Sequence, residues 1–241
     1  MTGDLHERQP ALSAAAMSTF WQQGFIALSA QLSAPELASL QHGYDAMLNR
    51  ANDCGVQDRF LGGRIRQIVH LSRHYPDFFP SHLVSRFRVI ADTLLECPTH
   101  RTFDMLMVKE PGDVAETPWH QDWSYSQMPY AAAGTIIPNR KLQFWLALDE
   151  VDVQNGCLHF LPGVHRGVLS EHVVASGDSA DEGRLLALRQ CDASMAVACP
   201  LPAGGCTIHV EGTPHFAGGN HSPNRRRRAY IFNFEPLARS A

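Results

Sequence analysis

No run of the 241 residues approaches the ~20 apolar positions that a membrane-crossing helix requires, so no membrane partner is expected. Basic charge is also short. Lys and Arg number 20 against 24 Asp and Glu, giving a net charge of -4 and no general attraction for nucleic acid or acidic lipid. The six cysteines are scattered, with no Cys-x-x-Cys pair, which argues against both a zinc knuckle and a disulfide framework. They read as reduced and mostly buried. Met1 to Pro10 is polar and acidic rather than a basic segment leading into an apolar signal core, so the expected compartment is the cytoplasm. Internal repeats and low-complexity segments are absent too.

What is present is an ordinary globular composition, 44% hydrophobic and 18% charged, in a chain long enough for one large β domain with helical decoration. Residues 1–16 are expected to be a flexible tail and residues 17–241 a single domain. A short helix is expected over Met17 to Gln23 and a strand over Gly24 to Leu28. Ser33 and Glu36 have the spacing of a capping box opening the next helix, whose buried face would be Leu37, Leu40, Tyr44, Met47 and Leu48. Asn49 to Gly63, rich in Gly, Asn and Asp, reads as a long loop of the kind that often serves as a lid. Arg64 to Leu71 alternates as a half-exposed strand, with Arg64, Arg66 and Ile68 on one face, and Leu83 to Leu95 returns to helical spacing.

From about residue 98 the pattern changes to short apolar and β-branched runs broken by Gly and Pro. These are Thr102–Lys109, Leu142–Leu148, Cys157–Leu161, Met195–Cys199, Cys206–Val210 and Arg227–Phe234. Their length and spacing predict a sandwich or barrel. The expected architecture is mainly β with flanking helices: a helical part to about residue 97, then a jelly-roll core.

Within that core, Pro118-Trp119-His120-Gln121-Asp122-Trp123-Ser124-Tyr125 carries a His-x-Asp pair. On a strand, residues two apart point the same way, so His120 and Asp122 would grip one ion together. A second imidazole would leave the opposite positions of an octahedral ion open, the donor set of non-haem Fe(II) oxygenases. His215, in Thr213-Pro214-His215-Phe216-Ala217-Gly218-Gly219-Asn220, is the candidate. His209 and His221 compete with it, but the first lies inside an apolar run and the second in a Gly/Asn/Pro turn, and both read as structural.

Three blocks in order carry a resemblance. Trp145-Leu146-Ala147-Leu148-Asp149-Glu150, then Asn155-Gly156-Cys157-Leu158-His159-Phe160-Leu161-Pro162-Gly163-Val164-His165, then His215-x-Ala217-Gly218-x-Asn220 before an arginine-rich strand, resemble the signatures of the phytanoyl-CoA dioxygenase family of Fe(II)/2-oxoglutarate oxygenases. Gly24-Phe25-Ile26 fits that family's opening helix and strand, so the likeness covers roughly residues 18 to 235. It implies a double-stranded β-helix (jelly-roll, cupin-like) core and iron held by His120, Asp122 and His215. Implied co-substrates are 2-oxoglutarate and O2, with release of succinate and CO2.

The resemblance also implies an arginine on the strand after His215 for the far carboxylate of 2-oxoglutarate, a pairing suited to guanidinium geometry. Arg225 to Arg228 are consecutive, so the choice is open. Counting from His215 selects Arg226, while aligning on Ala229-Tyr230-Ile231 selects Arg227, which is preferred because insertions fall in loops. Arg226 and Arg228 would then turn outward. Trp145 and Met105 match positions beside the same molecule. Because Asp122 is present, halogenation is not expected. Hydroxylation of a small polar metabolite or natural-product intermediate is the leading expectation; desaturation, ring closure, or a cupin-like metal protein not using 2-oxoglutarate are the alternatives. Trp123 and Tyr125, with Gln127 and Tyr130, are candidate covers of the pocket mouth, and Trp123, Tyr125 and Arg66, with Arg64 and His70, are candidate substrate contacts. A monomer or homodimer is expected.

Overall fold

The computed structural model describes residues 12–50, 57–61, 65–125, 132–175 and 185–238. In chain order the elements are α1 (Ala14–Gln23), β1 (Phe25–Leu28), α2 (Ala34–Arg50), β2 (Gln57–Leu61), β3 (Ile65–Val69), α3 (Leu71–His74), α4 (Ser81–Leu95), β4 (Thr99–Lys109), β5 (Thr117–His120) and β6 (Leu142–Ala147). There follow β7 (Leu158–Phe160), β8 (His172–Val174), β9 (Leu186–Leu188), β10 (Val197–Cys199), β11 (Cys206–Val210), β12 (His215–Ala217) and β13 (Arg227–Pro236).

Local chemistry explains the helix ends. Ser13 caps α1 by accepting from the Ala16 N–H at 3.1 Å, so this helix starts three residues before the expected Met17. It stops at Gly24, whose φ of 87° is a left-handed conformation that glycine adopts without Cβ strain. The capping box is formed as expected, with the Ser33 N–H donating to Glu36 Oε2 at 2.8 Å. Arg86 of α4 donates to the same carboxylate, tying the two helices together and holding Glu36 down at about 2. Leu40, Tyr44 and Met47 are buried on the predicted face.

The expected loop over Asn49 to Gly63 is corrected. α2 runs on to Arg50, and Gln57–Leu61 pairs with β3 as an outer strand. Its polar sequence hid it, because an edge strand carries no apolar alternation that would mark it. Gly55, Gly62, Gly63 and Arg64 lie outside the described residues, as do the tail up to residue 11, Gln127 and Tyr130.

Seven strands form one sheet in the order β1-β11-β6-β13-β4-β3-β2, and four form a second in the order β10-β7-β12-β5. All pairings are antiparallel. The part before residue 97 is thus not only helical, since β1, β2 and β3 take both edges of the large sheet. Alternation sorts that sheet into two faces. Phe144, Tyr230, Phe232 and Phe234 meet Phe79, Phe87 and Leu40 beneath the helices. Met107, Trp145, Ala147 and Ile231 face the other way, onto Leu158, Phe160, Cys199 and Ala217 of the small sheet. Each such fully buried side chain contributes about 1.5–3 kcal/mol. The result is a jelly roll covered by helices on one side. Among the described residues no helix is long and apolar enough to cross a membrane.

Candidate metal centre

His120 ends β5 and His215 begins β12, and the two are direct partners across that antiparallel pair. Their ring centroids lie 4.1 Å apart. His120 Nδ1 lies 2.7 Å from Pro118 O and His215 Nδ1 3.0 Å from Thr213 O. A proton on each Nδ1 would be held by a backbone carbonyl, which leaves both Nε2 atoms free as ligands. Asp122 Oδ1 sits 3.6 Å from His120 Nε2 and 3.7 Å from His215 Nε2. One ligand atom from each of the three residues falls within 4.8 Å of the others, the spacing a single ion needs.

The strand argument for His120 and Asp122 does not hold as made. β5 stops at His120, and Asp122 reaches the site from the 3-10 turn Asp122–Tyr125. What fixes it is the large sheet. His209 Nε2 lies 3.0 Å from Asp122 Oδ2, and Gln143 Nε2 donates to the same oxygen. One carboxylate oxygen is thus occupied by β11 and β6 while the other faces the imidazoles. Burial alone would push the Asp122 carboxyl up, but His215, His120 and His209 outweigh it and hold it well below the usual carboxylate range. Burial, with His120 and His209 close by, pushes the His215 ring well below its usual value. An ionised carboxylate and a neutral imidazole are the forms a metal requires.

His209, read from sequence as structural, is therefore a partner of Asp122 rather than a bystander, while His221 is exposed. Gln143 was missed. It stands two residues before Trp145 on β6, so alternation from a residue already singled out would have found it.

The four arginines separate cleanly. Arg227 is fully buried on the inner face; its guanidinium lies 5.4 Å over the Trp145 ring, and none of its three nitrogens has a hydrogen-bond partner among the described residues. Burial pushes it down to about 10. Lys109, its partner across β13 and β4, is also fully buried, and donates to Gly218 O at 2.6 Å in the turn after His215. Arg226 is 40% exposed and paired with Glu110 and Asp45. Arg225 pairs with Asp152. Arg228 turns away from Arg227 as alternation requires, but towards α2 rather than solvent, where Asp149 and Asp45 hold it.

Trp145 is buried beside Arg227, and Met105 is half-buried against the same inner cluster. The Tyr125 ring stands edge-on to His120 at 5.6 Å, and its hydroxyl accepts from the Leu186 N–H. Trp123 lines a cavity with Arg140, Lys141 and Glu211. Arg66 belongs elsewhere. It shares the helix-covered face with Ile68, and its guanidinium donates to Leu48 O of α2 at 2.9 Å, so the expected substrate contact is corrected. His70 caps α3 in a left-handed conformation with its ring against Phe103.

A family model described as phytanoyl-CoA dioxygenase matches residues 20–229. "Phytanoyl-CoA dioxygenase domain-containing protein 1" of Mus musculus is 30% identical over 136 residues, 56% of this chain and 44% of that protein. The match thus spans less than half the length of this relative. Among solved structures, EvdO2 from Micromonospora carbonacea var. aurantiaca, complexed with 2-oxoglutarate, is 30% identical with a TM-score of 0.77, over 96% of this chain and 94% of that one. The alpha-ketoglutarate-dependent carbocyclase SnoK from nogalamycin biosynthesis is 21% identical with a TM-score of 0.69, over 93% and 84%. At that identity the likeness concerns the fold.

Proposed function

Because the chain belongs to the phytanoyl-CoA dioxygenase family, we propose that it is an Fe(II)- and 2-oxoglutarate-dependent oxygenase that hydroxylates a C–H bond of a small polar molecule. The observation that carries this reading is the orphaned guanidinium of Arg227. A fully buried cation with no hydrogen-bond acceptor among the described residues is costly, which supports reading it as the partner of a carboxylate from a bound molecule. Alternation puts Arg227 on the face of β13 that carries Ala229 and Ile231, in the cluster that includes Ala217, two residues after His215, and buried Lys109 is its partner on β4.

In this reading His120 and His215 offer Nε2 and Asp122 offers Oδ1 to iron. Arg227 takes the far carboxylate of 2-oxoglutarate, and Trp145 and Met105 form the apolar wall around its chain. Bound there, iron and 2-oxoglutarate supply an O2-dependent oxidation in which 2-oxoglutarate leaves as succinate and CO2. The chain's own work is positional. His209 and Gln143 hold Asp122 Oδ2 so that Oδ1 keeps its aim, and the carbonyls of Pro118 and Thr213 fix the two ligand rings. Retention of the Asp122 carboxylate leaves no room for a halide and favours oxygenation. Desaturation or ring closure would use the same ligands. The described cysteines, Cys97, Cys157, Cys191, Cys199 and Cys206, are free, which suits the cytoplasmic location we assign, as a monomer or homodimer.

Anaerobic addition of Fe(II) and 2-oxoglutarate should give a weak visible charge-transfer band, followed in air by slow succinate release. Absence of both from folded protein, with His120→Ala behaving identically, would overturn the assignment.

A further inference from the structure

A cavity of about 400 Å³, within the size range of small-molecule sites, is lined in part by Trp123, the residue after Asp122. Its walls include Trp123, Arg140, Lys141, Glu211 and Glu235, with Pro236 at the end of β13 and Leu237 and Ala238 after it. Its position follows from the strands. Glu211 lies two residues beyond His209, and Lys141 two before Gln143, and the Glu211 N–H donates to Lys141 O at 3.2 Å, extending the β11–β6 ladder by a rung. Alternation then puts Glu211 and Lys141 on the face that carries His209 and Gln143, about 7 Å further along the strands. Trp123 directly follows Asp122, and its backbone N–H donates to Glu211 O at 3.0 Å.

Two polar atoms in this wall are buried without partners among the described residues. Glu211 is 2% exposed; its Oε1 accepts from the Arg140 N–H at 3.1 Å, while Oε2 has no partner. Trp123 Nε1 is likewise unsatisfied. Such groups are normally paired, and leaving one unpaired costs about 1–3 kcal/mol. Burial also pushes the Glu211 carboxyl up to about 7, opposed by Lys141 and the Arg140 and Lys141 backbones and assisted by Asp122.

We propose that Trp123 Nε1 and Glu211 Oε2 form the substrate subsite of this protein and that they select a neutral, hydroxyl-bearing molecule. The chemistry is one of matching. Indole Nε1–H is only a donor and a carboxylate oxygen an acceptor, so the ligand must offer both functions at once, as a hydroxyl does. An ammonium has nothing for Trp123 to donate to, and a carboxylate or phosphate dianion, with no hydrogen to offer, can meet only the protonated form of Glu211, whereas a hydroxyl matches either form. The wall presents two cationic side chains and two carboxyl groups, with Lys141 and Glu235 already 3.6 Å apart, so no net field favours an ion. The inference rests on the oxygenase reading, since that is what makes a cavity lined by the residue after Asp122 a substrate site.

The test uses full-length protein whose loading with Fe(II) and 2-oxoglutarate is first verified by the anaerobic charge-transfer band. Succinate release in air is then measured with four panels: methyl glycosides and cyclitols, small carboxylates and phosphates, alkylamines, and fatty acids. Stimulation confined to the hydroxylated panel is expected. Glu211→Gln and Trp123→Phe should each raise the half-stimulating concentration roughly tenfold, with the band retained as evidence of folding and loading. Strongest stimulation by a charged or apolar panel, no response to the hydroxylated one, or wild-type response in both variants would overturn the subsite while the band stands. Loss of the band in wild-type protein would instead defeat the oxygenase assignment itself.

Discussion

Replacing Arg227 with methionine should make the ligand-free protein more stable and at the same time abolish its protection by 2-oxoglutarate. Burial pushes this guanidinium down from its ordinary value to about 10, which at 1.36 kcal/mol per pH unit is a strain of about 3 kcal/mol. Methionine fills similar apolar space without it. Against this stands the lost contact with the Trp145 ring at 5.4 Å, worth about 1–2 kcal/mol for a desolvated cation. The net gain of ~1–2 kcal/mol corresponds to a melting temperature raised by about 2–8 °C in a chain of this size. Wild-type protein at a hundredfold excess of 2-oxoglutarate over its dissociation constant should gain ~2.7 kcal/mol. Removing one partner of a buried ion pair costs ~3–5 kcal/mol, so affinity should fall roughly a hundred- to a few-thousandfold and that protection should vanish. Scanning calorimetry with and without 2-oxoglutarate, at fixed metal, reads both effects. Arg226→Ala should lose neither, because its exposed pairs are worth at most about 1 kcal/mol. A lower melting temperature for ligand-free Arg227→Met together with an undiminished 2-oxoglutarate shift would refute the reasoning.

Two further predictions concern the groups around Asp122. His209→Leu and Gln143→Leu should each weaken Fe(II) binding about 10–100-fold, read by anaerobic titration of the charge-transfer band, because Asp122 Oδ2 loses a partner that orients Oδ1; unchanged affinity would remove both from the site's support. Glu211 should tie stability to pH. Its carboxyl lies at about 7 in the fold against an ordinary 4.5, so the stability linked to it is fully present below about pH 4.5 and lost as pH rises through about 7, a change of ~3 kcal/mol. Urea midpoints of wild type and Glu211→Gln between pH 4.5 and 8 test this, and parallel curves would contradict it.

Much of this protein was legible in the chain. The capping box, the apolar face of α2 and the strands β4, β6, β7, β10, β11 and β13 follow from local periodicity, which the backbone imposes wherever a segment is regular. The gathering of His120, Asp122 and His215 followed from motif order, and the preference for Arg227 over Arg226 from aligning on Ala229-Tyr230-Ile231 with the extra residue placed in the loop. Alternation, however, says which residues share a face and not what covers it. Arg66 and Arg228 lie where their strands put them, but that face is roofed by α2, which receives both guanidiniums. Tertiary structure alone decided that. It also decided how Asp122 is held, since the strand ends at His120 and the grip on Oδ2 comes from Gln143, 21 residues away, and His209, 87 away. The Trp123–Glu211 pair joins the end of one sheet to the mouth of another in the same way. Local sequence fixes the period of each strand, whereas the partners of a side chain depend on which distant strands the fold sets beside it.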